Sequence, residues 1–156
     1  MPTLSAVDET LDTGEIMMNE VLADAIAAVA RERGDKFNEA FAAAARLVDR
    51  YGESGLAERI LMEVPTSVPW ELVADLLSIL EWSTRDNGSA IRKQAEQWLV
   101  DAIDLRRVQI ALHLDAYPFQ EFEQMKSVLE RLALAHPQVA ARCESLIQGR
   151  RTCQRK

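Results

Sequence analysis

Between successive helix-breaking signals, apolar residues return every three or four positions along this chain, the period of one face of an α-helix. Asp12 and Glu15 stand at capping-box spacing ahead of Met18, Leu22, Ala25, Ile26 and Val29, and Gly34 ends that run. Asp35 is placed to cap a second helix, with Phe37, Ala40, Phe41, Ala44, Leu47, Val48 and Tyr51 on one face and Gly52 at its stop. Ser54 opens a short third segment through Leu56, Ile60, Leu61 and Val64, closed by Pro65. The stretch PTSVP is a rigid connector, and Pro69 starts a fourth helix through Leu72, Val73, Leu76, Leu77 and Leu80.

The pattern continues to the C-terminal end. Asp86-Asn87-Gly88 has turn chemistry, and Ser89 suits the N-cap of a helix carrying Ile91, Ala95, Trp98, Leu99, Ala102 and Ile103. Pro118 has the character of a first-turn proline ahead of Phe119, Phe122, Met125, Leu129, Leu132 and Ala133. Pro137 begins a last helix with Val139, Ala140, Cys143 and Ile147, closed by Gly149. Residues 108–114 alternate apolar and polar and fit a strand as well as a helix. A lone strand has no pairing partner elsewhere in the chain, which favours helix.

The expected fold is therefore all-α, with seven or eight short helices in antiparallel pairs, either HEAT-like or an irregular bundle. Residues 1–149 are expected to form one domain, with 1–11 flexible and 150–156 a basic flexible tail. A length of 156 residues is enough to bury a core, and 48% hydrophobic against 28% charged residues is a globular balance. No apolar run is long enough to span a bilayer, and the acidic N-terminal stretch lacks the order of a signal peptide. With Cys143 and Cys153 as the two cysteines, no disulfide framework forms, and a reducing cytoplasm is the expected location.

The net charge of −7 is unevenly spread. Asp8, Glu9, Asp12, Glu15, Glu20, Asp24, Glu32 and Asp35 face only Arg31 and Arg33 near the start, while Arg142, Arg150, Arg151, Arg155 and Lys156 outnumber Glu144 at the end. An acidic body argues against nucleic acid as the main partner and suits docking to a basic protein. Solubility alone explains the same charge.

Catalytic chemistry finds little support. His113 and His136 lie in different helices, outside any HExxH or Glu-x-x-His spacing, and read as a partly buried and a capping or surface histidine. Cys143 falls on an apolar helix side and reads as core; Cys153 sits among arginines with no ordered base beside it. Glycine-rich phosphate loops are absent, and the turn at Asp86 lacks the alternating oxygens and closing glutamate of a calcium loop. The expectation is no enzyme, no cofactor and no metal.

The stretch LEWSTRDNGSAIRKQAEQWL carries two tryptophans with different surroundings. On a helical wheel Trp98 falls with Ile91, Ala95 and Ala102 and reads as core. Trp82 falls between Glu71 and Asp75 on the polar side, close to the turn at Asp86. Exposed, it is a hot-spot anchor flanked by acids; covered by another helix, it is a second core tryptophan. Glu71, Asp75, Trp82 and Asp86 are the candidate partner-binding residues.

The element Trp82-Ser83-Thr84-Arg85-Asp86-Asn87-Gly88, set in an acidic helical chain, resembles bacterial immunity proteins of polymorphic-toxin and contact-dependent inhibition systems, over roughly residues 65–120. The resemblance implies a non-catalytic protein that neutralises a cognate toxin by stoichiometric binding. Toxins acting on nucleic acids are commonly basic, so an acidic surface would mimic phosphate charge at the toxin's site. The alternative for a small, acidic, helical chain is a cytoplasmic chaperone of a secreted effector.

Overall fold

The computed structural model describes residues 18–154, and among these residues all regular structure is helical. Eight α-helices follow in order: α1 (Glu20–Glu32), α2 (Asn38–Tyr51), α3 (Leu56–Glu63), α4 (Trp70–Glu81), α5 (Ser89–Asp101), α6 (Leu105–Leu112), α7 (Phe122–Ala135) and α8 (Ala140–Gln154). A single 3-10 turn, Pro137–Val139, leads into α8. Of the strand-or-helix segment 108–114, residues 108–112 lie in α6, and 113 and 114 lie in the turn that follows it. In α6, Val108, Ile110, Ala111 and Leu112 are all buried, which gives helix and strand patterns the same look.

Sequential helices pair antiparallel. The groove between α1 and α2 is lined by Asp24 with Arg46 and by Arg31 with Glu39, so the two helices run in opposite directions. In the same way Arg151, late in α8, lies over the ring of Phe122 at the start of α7. α4 lies among α1, α2, α5 and α6, and the α7–α8 pair joins them through the contact of α7 with α5. Eight consecutive or near-consecutive residues of α4 are buried: Val73, Ala74, Leu76, Leu77, Ser78, Ile79, Leu80 and Glu81. Burial on nearly all sides is what a helix at the centre of a bundle requires. One apolar core results, from Leu22, Val29 and Leu47 through Leu76 and Leu99 to Met125, Leu129 and Ile147.

Several helix ends differ from the expected ones. Asp12 and Glu15 lie outside the described residues, as do 1–11; α1 is capped by Asn19, whose Oδ1 accepts from the Val21 N–H at 2.7 Å. Asp35 binds only its neighbour Lys36, and the first turn of α2 is capped across the hairpin by Glu32, which accepts from Glu39 N (2.9 Å) and Ala40 N (2.8 Å). Ser54 makes no cap for α3, which begins after Gly55 in the left-handed conformation. Pro118 does not open α7: the chain stays irregular until Glu121, with Phe119 left-handed (φ 64°) and its ring buried in the core.

The expected flexible tail is a helix as far as the structure describes it. Gly149 is not a stop, because α8 runs through it to Gln154. A side chain at 149 would meet the Tyr117 hydroxyl at 2.8 Å, so glycine there serves close packing. Arg150 then donates to the carbonyls of Pro118 (3.0 Å), Phe119 (2.8 Å) and Gln120, clamping the irregular segment before α7. No helix among the described residues is long and apolar enough to cross a membrane.

Candidate functional site

The turn between α4 and α5 is wired by short polar side chains. Asp86 accepts from the Gly88 N–H (3.0 Å), the Ala90 N–H (2.9 Å) and the Thr84 hydroxyl (2.9 Å), while Thr84 Oγ1 accepts from the same Gly88 N–H at 2.8 Å. These bonds satisfy the free amides at the N-terminus of α5, the task expected of Ser89, which is instead the first helical residue. The backbone bond to Ala90 and the Thr84 hydroxyl hold the Asp86 carboxyl below its ordinary value. Asn87 (φ 56°) and Gly88 (φ 80°) are both left-handed, which reverses the chain in a few residues.

Trp82 is the C-cap of α4, and its N–H bonds the carbonyls of Ile79 and Leu80. Its side chain is 75% exposed, against 5% for Trp98. The two tryptophans thus separate as the wheel divides them. Trp98 is core, its indole N–H donating to Glu58 Oε1 at 2.9 Å. Trp82 stands on the surface at the edge of the wired turn.

The four candidate residues do not form one compact patch. Glu71 lies eleven positions before Trp82, roughly 16 Å along the helix axis at 1.5 Å per residue. It is half-buried in the first turn of α4. Asp75 is half-buried and paired with Arg33 at 2.9 Å, so its charge is matched within the molecule. Between Asp75 and Trp82 on that face lies Ser78, which is buried and accepts from the Asp115 N–H at 3.2 Å. The segment after α6 therefore crosses the polar stripe that the wheel draws as open. Trp82 and Asp86 share a turn; Glu71 lies in the first turn of α4 and Asp75 at its middle.

Different acids border the turn that bears Trp82. An open groove between the end of α2 and this turn is lined by Val48, Asp49, Gly52, Glu53, Ser83 and Arg85. Glu53 accepts from the Arg85 N–H at 3.0 Å and so ties the α2–α3 connection to the turn. Asp49 and Glu53 stand some thirty positions before Trp82 in the chain, and nothing in local periodicity joins them. Glu81, beside Trp82, also escapes a pattern search: it is 7% exposed, and one of its carboxyl oxygens has no hydrogen-bond partner.

A second polar cluster joins α3, α5 and α6. Glu58 receives Arg107 Nη2 at 2.7 Å as well as Trp98, and Arg107 also reaches Asp104, the N-cap of α6. Burial raises the Glu58 carboxyl, but the hydrogen bonds from Arg107 and Trp98 outweigh it and leave the group below its ordinary value. The shallow groove over this cluster has Ile103, 85% exposed, at its rim. Its charges satisfy one another.

The remaining reactive side chains have structural surroundings. Cys143 is buried, and burial pushes its thiol up to about 11. Cys153 is exposed on the last turn of α8. His113 stacks against Trp70 with ring centroids 4.6 Å apart, and burial lowers its pKa. His136 Nε2 lies 3.1 Å from the Ala102 carbonyl at the end of α5. Among the described residues, no three His, Cys, Asp or Glu side chains converge as a metal site would require. In comparisons with known proteins, no family model, no curated protein and no solved structure matches this chain.

Proposed function

We propose that this chain is a non-catalytic binding protein that neutralises a basic protein partner, a bacterial toxin domain, by stoichiometric docking on the Trp82 turn. The observation that carries the reading is the exposure of Trp82, 75%, on a turn fixed by four side-chain hydrogen bonds to Thr84 and Asp86. A large rigid aromatic on a preorganised backbone loses little entropy on docking, which is the character of a hot-spot anchor. Asp49 and Glu53 beside the turn supply negative charge for lysines or arginines of the partner. Asp86 serves by holding the turn, and Glu71 and Asp75 lie outside this patch.

The test is recovery of the partner from the producing cells with tagged wild-type protein and with Trp82→Ala. The reading expects a basic protein held one-to-one by the wild type, weakened by ~2 kcal/mol or more in the variant. It also expects that protein to arrest growth when produced alone and to be relieved by co-production of this chain. A partner that both proteins hold equally removes the Trp82 patch from the reading. A partner harmless on its own replaces immunity with the chaperone role.

A further inference from the structure

Glu81 occupies the last position of α4, where the unpaired carbonyls of the helix end disfavour negative charge. Its side chain is sealed beneath the following turn. A Cβ placed on Gly88 would lie 2.6 Å from the Glu81 Cβ and 2.7 Å from its Cγ, so the turn closes directly on this carboxyl-bearing chain. One carboxyl oxygen, Oε2, is buried without a donor. The charged groups that reach it are Arg92 on α5 and Asp115 after α6: burial raises the carboxyl most, Arg92 opposes, Asp115 adds to the rise, and the value reaches about 7. Arg92 is itself occupied, because its Nη1 donates to the Asn87 carbonyl of the same turn at 2.7 Å.

We propose that Glu81, Arg92 and the 84–88 turn form a proton-operated latch. With Glu81 neutral, its carboxyl rests uncharged under Gly88 while Arg92 holds the Asn87 carbonyl and the turn is shut. Loss of the proton leaves a buried carboxylate, and among the described residues the cation that acts on it is Arg92. Arg92 leaves Asn87 to meet it, and the left-handed pair Asn87-Gly88 loses its external tie. The turn then opens more often, and Trp82, at its edge, loses its fixed setting. This regulation stands on contacts within the chain and does not depend on what Trp82 binds.

Hydrogen exchange on the full chain tests it, with rates corrected for the intrinsic effect of pH on exchange. Amides of Asn87, Gly88 and Ala90 are expected to exchange through an opening of lower free energy than that of the middle of α7, and to lose protection by about tenfold between pH 6 and pH 8. In Glu81→Gln the same amides are expected to show no such loss. An equal loss in the variant, or turn amides that exchange only as fast as those in the middle of α7, overturns the latch. Should Glu81→Gln fail to fold, carbon-detected titration of the Glu81 carboxyl in the wild type decides. A carboxyl midpoint that coincides with the midpoint of the exchange loss at Gly88 supports the latch, and one that differs from it, or lies below 5, overturns it.

Discussion

Two tryptophans sixteen positions apart have opposite surroundings, and the difference is measurable one residue at a time. Trp98 is buried in the core with its N–H on Glu58, so Trp98→Ala is expected to cost about 3–5 kcal/mol of stability as a large-to-small core change. Trp82→Ala removes a mostly exposed ring and is expected to change stability by less than about 1 kcal/mol. Urea unfolding of the two variants separates these outcomes, and comparable losses would mean that Trp82 is covered in solution. Asp86 works within the turn: replacing it with Ala removes the acceptor for two amides and the Thr84 hydroxyl, a loss of roughly 1 kcal/mol for a helix N-cap. Its lowered pKa means this contribution is present at neutral pH and disappears as acid titrates the group below its ordinary 3.8. Asp86→Asn is expected to retain more stability than Asp86→Ala, because one acceptor oxygen remains.

At the scale of the helices, what the sequence makes legible is set by whether a signal is local. The apolar period and the Gly and Pro breaks place α2, α3, α4 and α5 within a few residues, because those signals act along the chain itself. Caps supplied across space are silent in the pattern: Glu32 caps α2 from the preceding helix, a role that spacing assigns to Asp35. The wheel of α4 fails for a related reason. A polar face is expected to meet water, but here Ser78 meets the Asp115 amide and Glu81 meets Gly88, so the surface reading holds for Trp82 and not for the stripe above it. The end of the chain misleads most, since its basic residues read as solvated tail. Arg150 instead binds the three carbonyls of the left-handed segment at Phe119. Arg150→Ala is expected to cost about 1–3 kcal/mol, the range for removing a charged hydrogen-bond donor from partly buried acceptors. Ending the chain after Gly149 is expected to lower the Tm by several degrees; an unchanged Tm would mean that this helical end contributes nothing to packing.

For the molecule as a whole, carboxyl groups shifted in opposite directions fix the pH at which it is most stable. Glu58 and Asp86 are held below their ordinary values, so each binds fewer protons in the folded state than in the unfolded chain near its titration. Their contributions are complete above about pH 4.5 and fade as pH falls. Glu81 has the reverse sign. Its folded value of about 7 stands above its ordinary 4.5, so the folded state holds a proton that the unfolded chain has released. That contribution is complete below 4.5 and is lost progressively until pH passes 7, a span worth roughly 3 kcal/mol at 1.36 kcal/mol per unit. Self-repulsion adds to the decline only up to about pH 6, where the ordinary carboxylates complete their ionisation and the net charge reaches −7. His113 opposes Glu81 below its ordinary 6.5, because burial holds its folded value down and stability is lost there as pH falls, so unfolding free energy in urea is expected to peak between about pH 5 and 6.5 and to decline toward pH 8. Glu81→Gln separates the two causes of the decline. With no proton to lose at 81, the variant is expected to keep only the shallow slope of charge repulsion below about pH 6, and that slope should flatten in high salt. A wild-type profile level from pH 5 to pH 8 would place Glu81 in water rather than beneath the turn, and a variant profile as steep as the wild type would assign the decline to groups other than Glu81.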